Sequence, residues 1–158
     1  MKICFISRIQ QSKGLDTLAV VADLLKKENL SEKVSIDFYG QKTDSYFDDY
    51  LSKEELFKYK GVLQPHEVIP TLKQYDVLIF PTHYEGEGCH GILVEALSVG
   101  LPIIASNWKY NEEFVESGVN GFLCDTYNAA EYVSAIKILL NDPMLRKLMA
   151  EQSIIFEE

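Results

Sequence analysis

The sequence predicts an α/β fold in which a doubly wound sheet of about six parallel strands carries helices on both faces. Short apolar runs alternate along the chain with stretches of helical periodicity. Two of these runs, residues 76–81 and 101–106, are almost continuously apolar, as expected for strands that are buried on both faces of a parallel sheet. Parallel strands need crossover connections, which are usually helices, so helices should cover both faces.

The first half of the chain is predicted to contain three strands, at residues 2–7, 33–40 and 61–63. The helix after the first strand is supported by apolar residues at helical spacing, which are Leu15, Leu18, Val21, Ala22 and Leu25. Residues 44–60 are predicted to form a polar helix, in which Ser52 and Glu55 are spaced as a capping box.

The second half of the chain follows the same alternation. A helix is expected over 65–75, opened by Pro65, with Pro70 bending or splitting it. Strands are predicted at 76–81, 101–106 and 120–125, and the remaining residues are helical with a break at "NDP". Without a repeat or linker, the chain is expected to form a single domain over 1–158.

Composition excludes several classes of protein. The 158 residues are 47% hydrophobic and 25% charged, which is typical of a globular domain. A net charge of -9 argues against non-specific binding to nucleic acid, and no apolar run approaches the ~20 residues that span a bilayer. The absence of a signal-peptide pattern predicts a cytoplasmic location. The three cysteines fit neither a disulfide framework nor a zinc motif, and Cys4 and Cys124 are expected in core strands.

The loop after the first strand carries Arg8 and Lys13, with Gly14 opening the next helix. Ligands of doubly wound sheets bind outside the carboxyl ends of the strands, and a helix N-terminus with two adjacent cations suits a phosphate. The alternative is that both cations are simply solvated. Neither the Walker pattern nor the GxGxxG fingerprint is present.

The stretch "EGEGCHGILVEA" at 85–96 suggests a ligand-shaped loop before a helix. Its glycines would let backbone N–H groups approach an anion, and the carboxylates of Glu87 and Glu95 would accept hydrogen bonds from ligand hydroxyls. At about 100° per residue, Gly91 and Glu95 share a helical side that is not the apolar one. The alternative is that Glu87 only favours the helix N-terminus while Glu95 lies on the surface.

Two other chemistries could use this loop. Adjacent Cys89 and His90 are poorly placed to bind one ion, so no metal site is predicted. A hydrolase could use Glu85 and Glu87 as paired carboxylates, but that reaction leaves the cations of the first loop unexplained.

Three segments in order resemble one enzyme family. Residues 81–125 resemble the signature region of the family 4 retaining glycosyltransferases, with its E-x7-E pair at Glu87 and Glu95. Residues 5–18 resemble that family's strand, Arg and Lys-Gly segment, and residues 61–82 resemble the segment between base-binding loop and signature. These enzymes have two Rossmann-like domains in the GT-B arrangement, and the chain resembles the C-terminal, nucleotide-sugar-binding domain.

The resemblance implies a role for each matching residue. Arg8 and Lys13 would neutralise the donor diphosphate, Glu95 would hold the ribose hydroxyls and Glu87 would face the transferred sugar. Arg8, Lys13 and Glu87 are therefore the predicted catalytic residues.

The remaining donor contacts are implied in the same way. Backbone amides of Cys89, His90 and Gly91 would approach the distal phosphate and sugar, while Leu63 and Gln64 would contact the base. The predicted donor-binding set is completed by Gly14, Gly88 and Ile92.

The implied reaction is glycosyl transfer with retention, in polysaccharide or glycoconjugate biosynthesis, without a cofactor or a metal. The expected partners are a nucleotide sugar and an N-terminal acceptor domain, and a peripheral membrane association of the longer enzyme stays open. The acceptor domain and the final crossover helix are expected to lie outside this chain, which alone should be inactive. The sequence departs from the family's common pattern at two places. Ser7 stands where the family often has a glycine before the Arg, and "EGEGCHG" stands where the family commonly has "EGFG".

Two alternative functions stay open. One is a GT-B relative with other chemistry, such as a nucleotide-sugar epimerase or a phosphorylase. The other is a non-catalytic α/β binding or signalling module, which would need an acidic cluster after the first strand, where this chain has Arg8.

Overall fold

The structure, a computed structural model, describes residues 1–88 and 91–157, with side chains as far as Ser153. Within this part of the chain, six strands form one parallel sheet in the order β3-β2-β1-β4-β5-β6. The strands are β1 (Lys2–Ile6), β2 (Ser35–Tyr39), β3 (Phe57–Gly61), β4 (Val77–Phe80), β5 (Ile103–Ser106) and β6 (Gly121–Cys124). The predicted fold class is confirmed.

The helices lie on both faces of the sheet. They are α1 (Leu15–Lys27), α2 (Val68–Leu72), α3 (Gly91–Ser98), α4 (Ala129–Asn141) and α5 (Pro143–Glu157). One core cluster joins α1 and α4 to the sheet, and a second joins α2 and α3 to it. Along β1 the side chains alternate between the two, with Ile3 and Phe5 in the first cluster and Cys4 in the second, as the twofold repeat of a strand requires.

The strand order creates a switch point beside β1. The chain runs from β1 outward to β3, then returns to form β4 on the other side of β1 and continues outward to β6. Ile3 accordingly pairs with Ile36 on one side and with Val77 on the other. Connections after β1 and β4 leave in opposite directions, which opens a crevice at the carboxyl ends of these two strands.

Most predicted elements are confirmed, but the prediction for residues 44–60 is wrong. The polar helix predicted over 44–60 is only a π-type turn at Phe47–Leu51, and the chain then enters β3 at Phe57. The third strand therefore precedes the predicted 61–63. Ser52 forms no capping box, because its hydroxyl donates to the Asp48 carbonyl oxygen at 2.6 Å. Apolar and charged residues alternate over Phe57–Gly61, which is the pattern of a half-buried edge strand. This twofold pattern, and not the helical spacing, matches the observed structure of the segment.

The helix expected over 65–75 is divided, but the division lies between Glu67 and Val68 and not at Pro70. A 3-10 turn at Pro65–Glu67, closed by a capping box between Gln64 and Glu67, precedes α2. Pro70 falls in the first turn of α2, where its missing N–H removes no intrahelical hydrogen bond.

Cys4 and Cys124 are free and buried in β1 and β6, as predicted. Burial raises the pKa of the Cys124 thiol to about 12 and raises that of Cys4 as well. Both stay protonated at neutral pH. Among the helices of the described residues, none is both long and apolar enough to cross a bilayer.

Gly14 fixes the approach of the loop after β1 to the end of β4. Its φ is +97°, and an added Cβ would lie 2.2 Å from the carbonyl oxygen of Pro81. Both the backbone conformation and the contact therefore require glycine.

We predict that Gly14→Ala lowers the free energy of unfolding by about 3 kcal/mol or more, because left-handed strain and overpacking add. Gly118→Ala is the matched control, since Gly118 has a φ of +83° with no atom within 4 Å of the added Cβ. It should cost only about 1–2 kcal/mol. Urea denaturation measures both, and equal losses would show that contact with Pro81 does not matter.

Candidate functional site

The loops after β1 and β4 meet at the switch point. The backbone N–H of His83 donates to the Ser12 carbonyl oxygen at 2.9 Å, which ties the two loops together. The ring of His83 also contacts α1, with Nε2 lying 2.8 Å from Asp16 Oδ1. Two segments far apart in sequence are therefore held as one surface.

Lys13 and Glu87 form a buried ion pair across this junction. Lys13 Nζ lies 2.7 Å from Glu87 Oε2, and the two side chains are only 6% and 7% exposed. Lys13 is therefore not a solvated loop cation. Glu87 likewise does more than favour a helix N-terminus, because its carboxylate is committed to a specific partner.

A chain of buried hydrogen bonds, which begins at the Thr82 hydroxyl, holds the same carboxylate. Thr82 Oγ1 donates to Glu87 Oε2 at 2.7 Å. Ser106 Oγ donates to the Thr82 carbonyl oxygen at 2.6 Å, and Asn111 Nδ2 donates to the Ser106 carbonyl oxygen at 2.9 Å. Thr82, Ser106 and Asn111 are fully buried, so the loop after β5 also positions the ion pair.

Arg8 lies at the exposed rim of the site. Its guanidinium carbon lies 4.8 Å from the centroid of the Tyr84 ring, and Lys13 Nζ lies 4.6 Å from the same centroid. The structure thus brings the two predicted cations together around one aromatic side chain.

The predicted residues of α3 lie at its beginning. Gly91 is exposed and opens the helix, while Leu93, Ala96 and Leu97 form its buried side. Ile92 is half-buried against the core, and Glu95 is half-exposed. No residue in the described part of the chain bonds the Glu95 carboxylate. Cys89 and His90 lie outside the described residues.

The two glycines described in the loop after β4, Gly86 and Gly88, have different surroundings. A Cβ on Gly86 would lie 2.7 and 2.8 Å from two atoms of the Tyr84 ring, so Gly86 makes room for that ring. A Cβ on Gly88 would meet only the Gly86 carbonyl oxygen, at 3.9 Å. Gly88 is exposed and presents its backbone to open space.

Leu63 and Gln64 follow β3, two strands away from β1. Gln64 is exposed, and its backbone N–H already donates to Glu67 Oε2 at 2.7 Å. A base contact in this region would therefore use other backbone groups.

The paired-carboxylate alternative receives no support from these contacts. Glu85 is 81% exposed and pairs with Lys109 at 3.0 Å, so the two carboxylates of the loop are directed at different lysines. Among the side chains that the structure describes, those of residues 1–88 and 91–153, no group of three His, Cys, Asp or Glu residues is arranged to hold a metal ion.

Sequence reasoning missed several residues that surround the two cations and the ion pair. Thr82, Tyr84 and Trp108 are polar or aromatic residues directly after strand ends, and that placement was the available signal. Trp108 Nε1 donates to the Tyr84 carbonyl oxygen at 2.8 Å. Pairing across loops cannot be read from spacing, so their partners could not be assigned.

Residues 1–155 match the family model described as "Glycosyl transferases group 1". The chain belongs to this family. Among curated relatives, the glycogen synthase of Mycobacterium tuberculosis is 24% identical over 144 residues, which cover 90% of this chain and 34% of the relative. The chain therefore spans about a third of the length of that relative.

Solved structures agree with the observed fold. A mutant of Staphylococcus aureus TarM, in complex with fondaparinux, alpha-GlcNAc-glycerol and UDP, matches with a TM-score of 0.84 and 24% identity over 98% of this chain and 31% of that one. The pneumococcal O-GlcNAc transferase GtfA, in complex with UDP and GlcNAc, matches with a TM-score of 0.80 and 25% identity over 99% and 32%. The sheet is thus that of a GT-B half domain.

We predict that Lys13→Met or Glu87→Gln each lowers the free energy of unfolding by about 3–5 kcal/mol, because each leaves a buried group without its partner. The double variant should lose less than the sum of the two. Lys109→Met breaks the exposed pair with Glu85 and should cost only about 0–1 kcal/mol. Denaturant unfolding measures these losses, and additive losses in the double variant would contradict a direct interaction.

Proposed function

We propose that the chain is the donor-binding half of a retaining glycosyltransferase that binds a nucleoside-diphosphate sugar at the switch point between β1 and β4. The observation that carries the proposal is the buried Lys13–Glu87 pair, with Arg8 and Lys13 over the same Tyr84 ring. A chain with a net charge of -9 gathers cations where an anionic ligand would bind.

The diphosphate would bind to Arg8 and Lys13. A lysine ammonium has three donors, and in the described residues Lys13 uses one of them on Glu87. The others can donate to phosphate oxygens. Gly14 is the N-cap of α1, whose partial positive charge adds to that of the two side chains.

The two glutamates would bind the two sugars of the donor. Lys13 and Thr82 both bond Oε2 of Glu87, which leaves Oε1 for a hydroxyl of the transferred sugar. Glu95 lies on the open side of α3 and would accept from the ribose hydroxyls. Backbone N–H groups of Cys89, His90 and Gly91 would approach the distal phosphate and sugar.

The reaction would proceed with retention at the anomeric carbon. Negative charge develops on the departing diphosphate, so Arg8 and Lys13 accelerate the reaction if they bind the transition state more tightly than the ground state. No metal is required in this scheme. The acceptor would bind to another domain of a longer cytoplasmic enzyme, in polysaccharide or glycoconjugate biosynthesis, and the isolated domain would be inactive.

We predict that the chain binds one nucleoside-diphosphate series and that Arg8→Ala with Lys13→Ala weakens this binding by at least about tenfold, since two charge-assisted contacts are lost. Isothermal titration with UDP, GDP and ADP sugars measures this, with UDP first because the staphylococcal and pneumococcal structures contain it. The corresponding nucleoside, which has no phosphate, should bind both proteins equally.

The matched control removes two other lysines. Lys26→Ala with Lys137→Ala causes the same loss of charge in exposed pairs on α1 and α4 and should leave affinity unchanged. If both double variants weaken binding equally, the effect comes from the lost net charge and not from direct contacts with the diphosphate. Orthophosphate binding that competes with the donor would favour a phosphorylase instead.

A further inference from the structure

The Tyr84 ring contacts both cations of the proposed donor site. Arg8 Cζ lies 4.8 Å and Lys13 Nζ 4.6 Å from its centroid. The face of an aromatic ring attracts cations, and arginine uses such contacts readily. The two positive charges repel each other, however, and only Lys13 has an acidic partner among the described residues.

The loop holds the backbone of Tyr84 next to the two cations. The Tyr84 backbone N–H donates to Thr82 Oγ1 at 3.1 Å, and its carbonyl oxygen accepts from Trp108 Nε1 at 2.8 Å. Gly86 provides the space beside the ring, because a side chain there would overlap it. Tyr84 is thus anchored on both sides of its Cα by buried or half-buried groups.

We propose that Tyr84 is a positioning residue whose ring holds Arg8 and Lys13 next to each other, so that both reach one diphosphate. This inference rests on the proposed function. The ring offsets part of the repulsion between the cations before the ligand arrives, and it limits the side-chain freedom that Arg8 loses on binding. The Tyr84 hydroxyl takes no part in it.

The test measures the affinity of inorganic pyrophosphate and UDP for Tyr84→Phe and Tyr84→Leu. Tyr84→Phe keeps the ring and should bind as the parent chain does. Tyr84→Leu should bind about five- to tenfold more weakly, as expected for two lost contacts between a cation and a ring. In an Arg8→Ala background, Tyr84→Leu should cost clearly less, because one of its two contacts is already absent.

A purely structural role of Tyr84 would give the opposite pattern. The loss in Tyr84→Leu would then persist undiminished in the Arg8→Ala background, which overturns the proposal. Equal binding by Tyr84→Leu and the parent chain also overturns it.

A second measurement needs no ligand. In NMR spectra of the free chain, the Arg8 δ-methylene and Lys13 ε-methylene protons should be shifted upfield by the ring in the parent and Tyr84→Phe, but not in Tyr84→Leu. If these protons are unshifted in the free parent chain, and the same chain binds pyrophosphate or UDP in the titration, only the Tyr84 proposal is overturned. Shifted protons in a chain that binds neither ligand contradict the proposed function, and the positioning role with it.

Discussion

Burying a lysine and a glutamate is costly unless each side chain finds the other, because both lose their hydration. In this chain Lys13 and Glu87 lie on loops that are far apart in sequence, and they meet only because β1 and β4 are neighbours in the sheet. Thr82, held by Ser106, fixes the carboxylate in turn. The geometry of the site therefore depends on the packing of the loops at the switch point.

The glycines serve this packing as much as any ligand. Gly14 lets the first loop touch Pro81, and Gly86 gives room to the Tyr84 ring, so both are explained by contacts within the protein. Gly88, beside open space, is the glycine that could admit a ligand to the backbone. The loop sequence thus combines residues that build the site with residues that leave it accessible.

Much of this could be predicted from the sequence. The buried strands β4 and β5 are predictable because their apolar runs are too short for a buried helix. The helix α1 is predictable because its apolar residues recur at helical spacing. The helix expected over 44–60 is wrong because a short edge strand with alternating lysines can also be read as a polar helix. Arg8, Lys13 and Glu87 could be selected as site residues, but the direct Lys13–Glu87 contact depends on tertiary packing, which spacing does not encode.

The most direct test of this account is a crystal structure of the chain with the nucleoside diphosphate that it binds. We predict phosphate oxygens at hydrogen-bond distance, about 3 Å, from Arg8 and Lys13, with the ribose at Glu95. A nucleotide bound instead at the amino ends of the strands, in the cleft lined by Lys26, Lys53 and Lys58, would contradict it.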